Sequence, residues 1–324
     1  MRVSFTTPKG VSYFGDSLEL IQNKSFLRKY KNKINLIFTS PPFSLVKKKK
    51  YGNKVGDDYV EWLKQFAKPL TSLLTKNGSI VIELGNSWEK GHPVFTTTPI
   101  EALLEFKKEA NLYLCQEFIC YNPSRPPNAA EWVTVKRIRA KDSYTRIWWM
   151  SKTPYPKANN KNILVNYSEG MRRIIKKGKL TNGTRPSGYK ITNNFLKNVN
   201  KGSISPNFLS FNEDGYVHET HENTLSISNN DNLKTFHDFC KKFNLQQHPA
   251  KMQASLVEYF VRFLTDEKDI VFDPFSGSNT TGMISQTLKR KWVGCEKELD
   301  YIKSSTIRFF NESEAKNKIK GMAK

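Results

Sequence analysis

Nowhere in this 324-residue sequence do apolar residues run for the roughly 18 positions that a membrane-crossing helix needs. The first residues, Met1-Arg2-Val3-Ser4, lead into polar positions and a Pro-Lys-Gly turn, without the apolar stretch of a secretion signal, so a cytoplasmic protein is expected. Cysteine is scarce. Cys115, Cys120, Cys240 and Cys295 are the only four, and no two form a CxxC pair. That excludes a zinc ribbon and a thioredoxin-like motif, and fits reduced thiols. Histidine offers no better metal site: His218 and His221 share the stretch His-Glu-Thr-His-Glu, a single pair without further ligands, where a polar loop is expected. No internal repeat is present. Acids are short as well, 30 against 52 Lys and Arg, which leaves a formal net charge of +22. An excess of that sign favours a polyanionic partner, most simply nucleic acid.

What is present is alternation. Short apolar runs at Val11-Phe14, Ile34-Phe38, Ser79-Leu84, Leu112-Tyr121 and Thr145-Met150 predict strands. Between them, Tyr59, Trp62, Leu63, Phe66, Leu70 and Leu73 recur at helical spacing and predict one helix over Asp58-Leu74, capped by Asp57 or Asp58 and ended by Asn77-Gly78. From about Pro154 to Gln247 periodicity weakens. Ser151 to Gly202 holds 12 Lys or Arg and a single acid, Glu169, yet apolar anchors such as Ile163, Tyr167 and Phe208 argue against a bare linker. An irregular, loop-rich lobe that meets a polyanion is expected there. From His248 alternation returns, with a helix at Ala254-Leu264, a strand at Asp269-Phe272, a helix at Met283-Lys289 and a strand at Trp292-Glu296. Two carboxy-terminal strands cannot bury both faces of a sheet alone. One α/β sheet built from both ends of the chain is therefore expected, with the basic middle inserted and the termini close together.

Two stretches carry chemistry. Asp273-Pro274-Phe275-Ser276-Gly277-Ser278-Asn279-Thr280-Thr281-Gly282 sits between a strand and a helix. Small residues let a ligand approach the backbone, and the helix start offers N–H groups. Glu296, at the end of the next strand, is placed to hold ribose hydroxyls, and Asp273 suits a ligand with an ammonium group. The spacing is not GxGxxG, which disfavours a nicotinamide cofactor; a glycine turn with no ligand is the plain alternative. The second stretch, Thr39-Ser40-Pro41-Pro42-Phe43, ends an apolar strand. The prolines remove two N–H donors and stiffen the chain. Ser40 adds a hydroxyl acceptor and Phe43 a flat apolar face, which together suit a planar base with an exocyclic amine.

DPFSGSNTTG resembles the S-adenosylmethionine motif of DNA amino-methyltransferases, and TSPPF resembles their catalytic motif. Their order, with the catalytic motif first, is similar to the circularly permuted beta class. Tyr13-Phe14-Gly15-Asp16-Ser17-Leu18, Glu131-Trp132-Val133, Trp148-Trp149, Thr184-Arg185-Pro186-Ser187-Gly188 and His248-Pro249-Ala250 resemble the PvuII-type enzymes, which make N4-methylcytosine. Asn279 stands where the broad family usually has a second glycine, and Asn tolerates left-handed backbone better than most residues.

The resemblance implies a Rossmann-like methyltransferase sheet in two parts, residues 1–153 and 248–324, around a target-recognition region at 154–247. It implies S-adenosylmethionine as cofactor and double-stranded DNA as partner, with a companion restriction endonuclease related by function and either a monomer or a homodimer. Ser40, Pro41, Pro42 and Phe43 would act on the base. Asp273, Phe275 and Gly277 would surround the methionine part of the cofactor, with Ser278, Asn279 and Thr280 completing the loop. Glu296 would bind the ribose, Asp16 would approach the adenine, and Glu83 would face the same cleft. Lys47, Lys48, Lys49 and Lys50, and the set Arg172, Arg173, Lys176, Lys177, Lys179 and Arg185, would contact DNA. The rival readings are an N6-adenine enzyme of the same class, which usually has Asp in place of Ser40, and an inactive DNA-binding protein.

Overall fold

The computed structural model describes residues 2–45, 54–122, 125–127, 129–178, 188, 202–212, 215–216, 229–248 and 252–322. Lys47 to Lys50, Lys179, Arg185, His218 and His221 lie outside the described residues.

The central strand shows why the sheet forms. β3 (Ile34–Thr39) is apolar on both faces, and five of its six residues are buried. Such a strand needs a partner on each side and a layer of helices above and below. Its neighbours are β9 (Ile270–Asp273) and β4 (Leu74–Gly85), both parallel to it. β10 (Lys291–Glu296) follows β9, and β2 (Gly10–Phe14) follows β10, again in parallel. β1 (Arg2–Thr7) closes that edge antiparallel to β2. On the other side β6 (Tyr144–Ser151) and β5 (Tyr113–Tyr121) run antiparallel, and β7 (Phe208–Asn212) and β8 (Gly215–Tyr216) extend the edge. The order is β1-β2-β10-β9-β3-β4-β6-β5-β7-β8. The two carboxy-terminal strands thus fill the gap between β2 and β3, and the α/β class expected from the sequence holds. The termini meet: Arg2 donates to the Met322 carbonyl at 3.5 Å.

One face is covered by α1 (Ser17–Gln22), α2 (Lys24–Tyr30), α3 (Gly56–Lys64), α4 (Ala67–Leu73) and α5 (Thr98–Glu109), which pack Leu20, Phe26, Leu63, Leu70 and Phe106 on Ile37, Ile80 and Phe272. Past α6 (Glu169–Lys177) and α7 (Asn229–Lys242), the other face is covered by α8 (Ala254–Leu264) and α9 (Thr280–Thr287), which pack Phe260, Leu264 and Ile284 on Leu36, Phe38 and Val271. α10 (Leu299–Ser305) and α11 (Glu312–Gly321) close the chain.

Three details differ from the sequence expectation. The helix expected over Asp58-Leu74 is two helices, broken at Gln65 and Phe66. Pro69 lacks the N–H that a continuous helix would need and would crowd the carbonyl four residues earlier. Val55 stands at the cap position of α3, while Asp57 and Asp58 lie in its first turn, where their charge still opposes the helix dipole. Asn77 and Gly78 lie inside β4. The basic middle also touches the sheet at its margins. β7 pairs with β5, Ile163 packs in the core with Phe260, and Lys157 bridges Asp266 and Asp269 at 2.7 and 2.6 Å.

Candidate active site

The ends of β3, β9 and β10 open on one cavity of about 380 Å³. Its wall includes Ser40, Pro41, Pro42 and Phe43 from the turn after β3, Pro274 and Phe275 from the loop after β9, and Glu296 from the end of β10. Asp16 and Ser17 join from the start of α1, and Trp62 and Phe66 from the α3–α4 corner. The proline turn and the glycine loop therefore face each other, as parallel sheets dictate when both loops leave the carboxyl edge.

Glu296 is the best-placed acid. Oε2 accepts from the Gly277 N–H at 2.8 Å, and Oε1 accepts from the N–H groups of Lys297 and Glu298, each at 2.8 Å. A carboxylate offers about four acceptor positions, so one is left on Oε2 of this cavity-lining residue. Burial pushes its pKa up to about 7, against the opposing pull of those three N–H groups. Asp16 caps α1 with a single oxygen, Oδ1, which accepts from Leu18 and Glu19 at 2.8 and 3.2 Å.

Asp273 does not line the cavity, contrary to the role expected for it. It is 2% exposed. Thr39 and Thr281 each donate a hydroxyl to it at 2.7 Å, and the Phe275 N–H donates at 3.0 Å. Buried off the cavity wall, it ties β3, through Thr39, to the loop and helix that follow β9. Its pKa rises to about 6 because it is buried, although the same three bonds oppose the rise.

Gly277, Ser278, Asn279 and Thr280 are likewise buried behind the cavity wall rather than in it. They shape the loop. Gly277 adopts φ +50°, which favours glycine, and a Cβ there would crowd the His248 ring at 3.1 Å. Asn279 takes φ 56° and ψ 43°, and its Oδ1 accepts from the Gly282 N–H at 3.0 Å, which caps α9. Asn thus fills a left-handed position directly. Ser278 accepts from Arg308 at 3.3 Å.

Ser40 is half-buried on the cavity, and its hydroxyl is hydrogen-bonded to Glu83 of β4. Glu83 also accepts from Thr145 of β6 at 2.8 Å. Burial holds the Glu83 pKa above the usual carboxylate range, while Thr145, Ser40 and the Arg125 charge pull it down. Glu83 therefore reaches the cleft through Ser40. Phe43 packs closely on Gly85, where a Cβ would sit 2.6 Å from the ring.

Several lining residues were not legible as such. Trp62 and Phe66 fit a helical core pattern, yet both rings stand against Phe275, with centroids 5.7 and 5.2 Å away. Lys54, His248, Lys297 and Tyr301 also line the cavity, and His248 meets Tyr301 edge-on at 4.7 Å. His248 belongs to the His248-Pro249-Ala250 stretch noted in the sequence, but no local motif announces Lys54, Lys297 or Tyr301; only the fold gathers them. Arg172, Arg173, Lys176 and Lys177 are exposed on α6, away from the cavity wall, with Arg173 near Glu169 at 3.4 Å. Among the described residues no cluster of His, Cys, Asp or Glu could hold a metal. Nor, among them, is any helix long and apolar enough to cross a membrane. None of the four cysteines forms a disulfide.

Comparison with known proteins places this geometry. A family model described as DNA methylase matches residues 34–307. The type II methyltransferase M.PvuII of Proteus hauseri is 36% identical over 318 residues, covering 98% of this chain and 88% of that protein. The solved structure described as PvuII DNA methyltransferase (cytosine-N4-specific) superposes with a TM-score of 0.73 at 30% identity, over 99% of this chain and 95% of that one. A DNA modification methylase of Thermus thermophilus, solved in complex with S-adenosyl-L-methionine, shares the fold with a TM-score of 0.50 at 17% identity, over 93% of this chain and 95% of that one.

Proposed function

This chain belongs to the DNA methylase family, and from that premise we infer that it is a site-specific DNA methyltransferase. It moves a methyl group from S-adenosylmethionine to the exocyclic N4 amine of cytosine in duplex DNA, as the modification enzyme of a restriction-modification system. The observation that carries this reading is the shared cavity: Ser40 to Phe43 and the Phe275–Glu296 pair wall a single space.

The cavity fits the cofactor. Its volume of about 380 Å³ lies within the range of small-ligand sites. It combines an apolar aromatic wall of Trp62, Phe66 and Phe275 with the open acceptor of Glu296 and the capping carboxylate of Asp16. We assign Glu296 to the ribose hydroxyls, Asp16 to the adenine side and Phe275 to the methionine side. S-adenosylmethionine, when bound, supplies an electrophilic methyl group.

The protein's share of the chemistry lies in the proline turn. A cytosine amine is a poor nucleophile because its lone pair is delocalised into the ring. The Ser40 hydroxyl donates a hydrogen bond to Glu83, so its lone pairs are left to accept from the amine. The Pro41 carbonyl accepts no hydrogen bond among the described residues and supplies the second acceptor. Two fixed acceptors draw the nitrogen towards tetrahedral geometry and stabilise positive charge as it develops there. Phe43, packed against Gly85, stacks on the extruded base and offsets part of the few kcal/mol that unstacking costs.

We place target recognition in residues 154–247, with Arg172, Arg173, Lys176, Lys177 and Arg185, and with Lys47 to Lys50 after the catalytic turn, on DNA phosphates or bases. A companion endonuclease and a cytoplasmic setting belong to the same proposal. The test is to methylate DNA with the pure protein and labelled cofactor, digest to nucleosides and identify the modified base. N4-methylcytosine is expected. N6-methyladenine alone would overturn the choice of base, and no transfer to DNA would overturn the reading itself.

A further inference from the structure

The connection between β5 and β6 is far longer than pairing requires. Two antiparallel neighbours need a loop of about 2–5 residues, and loops beyond about 12–15 are usually functional. Here β5 ends at Tyr121 and β6 begins at Tyr144. The connection is organised along its described length. At its base the Asn122 N–H donates to the Ser143 carbonyl at 2.8 Å, and Arg125 donates to the Tyr144 carbonyl at 3.1 Å. Further out, Glu131–Val135 forms a turn of π-helix, a rare form that is frequent at functional sites. The Lys136 N–H returns to the Glu131 carbonyl at 2.8 Å, and the Ile138 N–H to the Trp132 carbonyl at 3.0 Å. Lys136 lies over the Trp132 ring at 4.3 Å and pairs with Glu131 at 3.0 Å. Arg137 reverses the chain at φ 53°.

This bracing does not bury the tip. Residues 134–138 are all exposed, with Val135 at 75% and Ile138 at 62%. A single exposed apolar residue needs no explanation. Two on a self-braced tip, beside Lys136 and Arg137, call for a partner both apolar and anionic. The bases and phosphates of a duplex meet both conditions. Position agrees. The arm springs from the strand ends where Thr145 pairs with Gly85, and Thr145 donates to the Glu83 that holds Ser40. Ile138 lies six residues before Tyr144, a reach of at most about 20 Å.

We propose that the arm over residues 129–142 engages the duplex beside the target base, with Val135 and Ile138 inserted against the bases where cytosine leaves the stack, and Lys136 and Arg137 on the flanking phosphates. This rests on the DNA methyltransferase reading above.

The test compares the wild-type protein with Val135→Ala/Ile138→Ala on two short duplexes that carry the word the wild type methylates. One is fully paired, and the other has the target cytosine mispaired. If the tip supports extrusion, the double variant loses about tenfold or more in kcat/KM on the paired duplex. It recovers to within a few-fold of wild type on the mispaired one, where opening is already cheap, and cofactor affinity is unchanged. Lys136→Ala/Arg137→Ala weakens both duplexes alike and flattens the salt dependence of binding. Equal activity of wild type and the Val135/Ile138 variant on the paired duplex would overturn the arm alone. So would an equal loss on both duplexes. Failure of the wild type to methylate any DNA would remove the reading beneath the proposal, and the arm with it.

Discussion

The cofactor loop and the catalytic turn leave the same edge of one sheet, yet they are built in opposite ways. Between Asp273 and Gly282 the polar groups turn inward: Asp273 takes three protein donors, Asn279 caps its own helix, and the Gly277 N–H goes to Glu296. In the turn at Ser40 to Phe43, two prolines leave carbonyls without adjacent donors, and the one side-chain hydroxyl is held from behind by Glu83. The first loop spends most of its polar groups on the protein itself; the second, on the function proposed above, keeps its acceptors for the substrate amine. The difference teaches that rigidity and reactivity are assigned to separate segments, and that one residue, Asp273, joins them through Thr39 of β3.

Ser40→Ala is the largest test of that contrast. It removes one of two acceptors from the developing charge and leaves the cofactor loop untouched. kcat is expected to fall about 10²–10³-fold, the usual effect of deleting one preorganised group. Cofactor affinity by calorimetry and the thermal midpoint should stay near wild type. A matching loss of cofactor affinity would show that the turn also builds the cofactor site, and the contrast would collapse.

Asp273→Ala attacks the other segment. It leaves the Thr39 and Thr281 hydroxyls and the Phe275 N–H buried without their acceptor. Each such group costs about 1–3 kcal/mol, and partial relaxation brings the expected total to about 3 kcal/mol. Urea unfolding should show a lower midpoint, with cofactor binding reduced as the loop loosens. An unchanged midpoint combined with lost cofactor binding would restore Asp273 to the ligand-facing role expected from the sequence.

How far each part could be read from sequence follows from the range of the interactions that define it. β3 and β10 were legible because a strand buried on both faces reads as an unbroken apolar run. The cofactor loop was legible because its glycine and small residues serve a local backbone shape. β1 was missed: Arg2–Thr7 is an edge strand with one fully buried residue, Phe5, so its pattern is faint. α7 was missed because Asn229–Lys242 opens on polar residues that mask the periodicity of Phe236, Phe239 and Cys240. The role of Asp273 could not be read locally, since its partner Thr39 lies 234 positions away. Trp62 and Phe66 gave a core signal because a cavity wall and a core demand the same spacing.

The smallest effect concerns Glu296, where two pH dependences should run in opposite directions. Burial raises its pKa from 4.5 to about 7 in the free protein. The folded state therefore holds more protons than the unfolded chain between those values, and this contribution to stability is present at low pH and lost as pH rises through about 7. Asp273, raised from 3.8 to about 6, acts in the same direction. Ribose hydroxyls, by contrast, donate to a carboxylate and favour its ionised form. Below about pH 7 the cofactor must displace a proton, so affinity falls on acidification, by at most about tenfold per pH unit. Thermal midpoints measured from about pH 5 to about pH 8, with and without cofactor, separate the two. The cofactor-induced rise in Tm should grow with pH while the free protein's Glu296 contribution shrinks. Glu296→Gln, neutral throughout, should flatten the cofactor-induced rise and lower affinity at high pH. A rise that is already flat across the window in the wild-type protein would mean that Glu296 is not the ribose acceptor, and that the preformed side of the cavity meets its ligand through other groups.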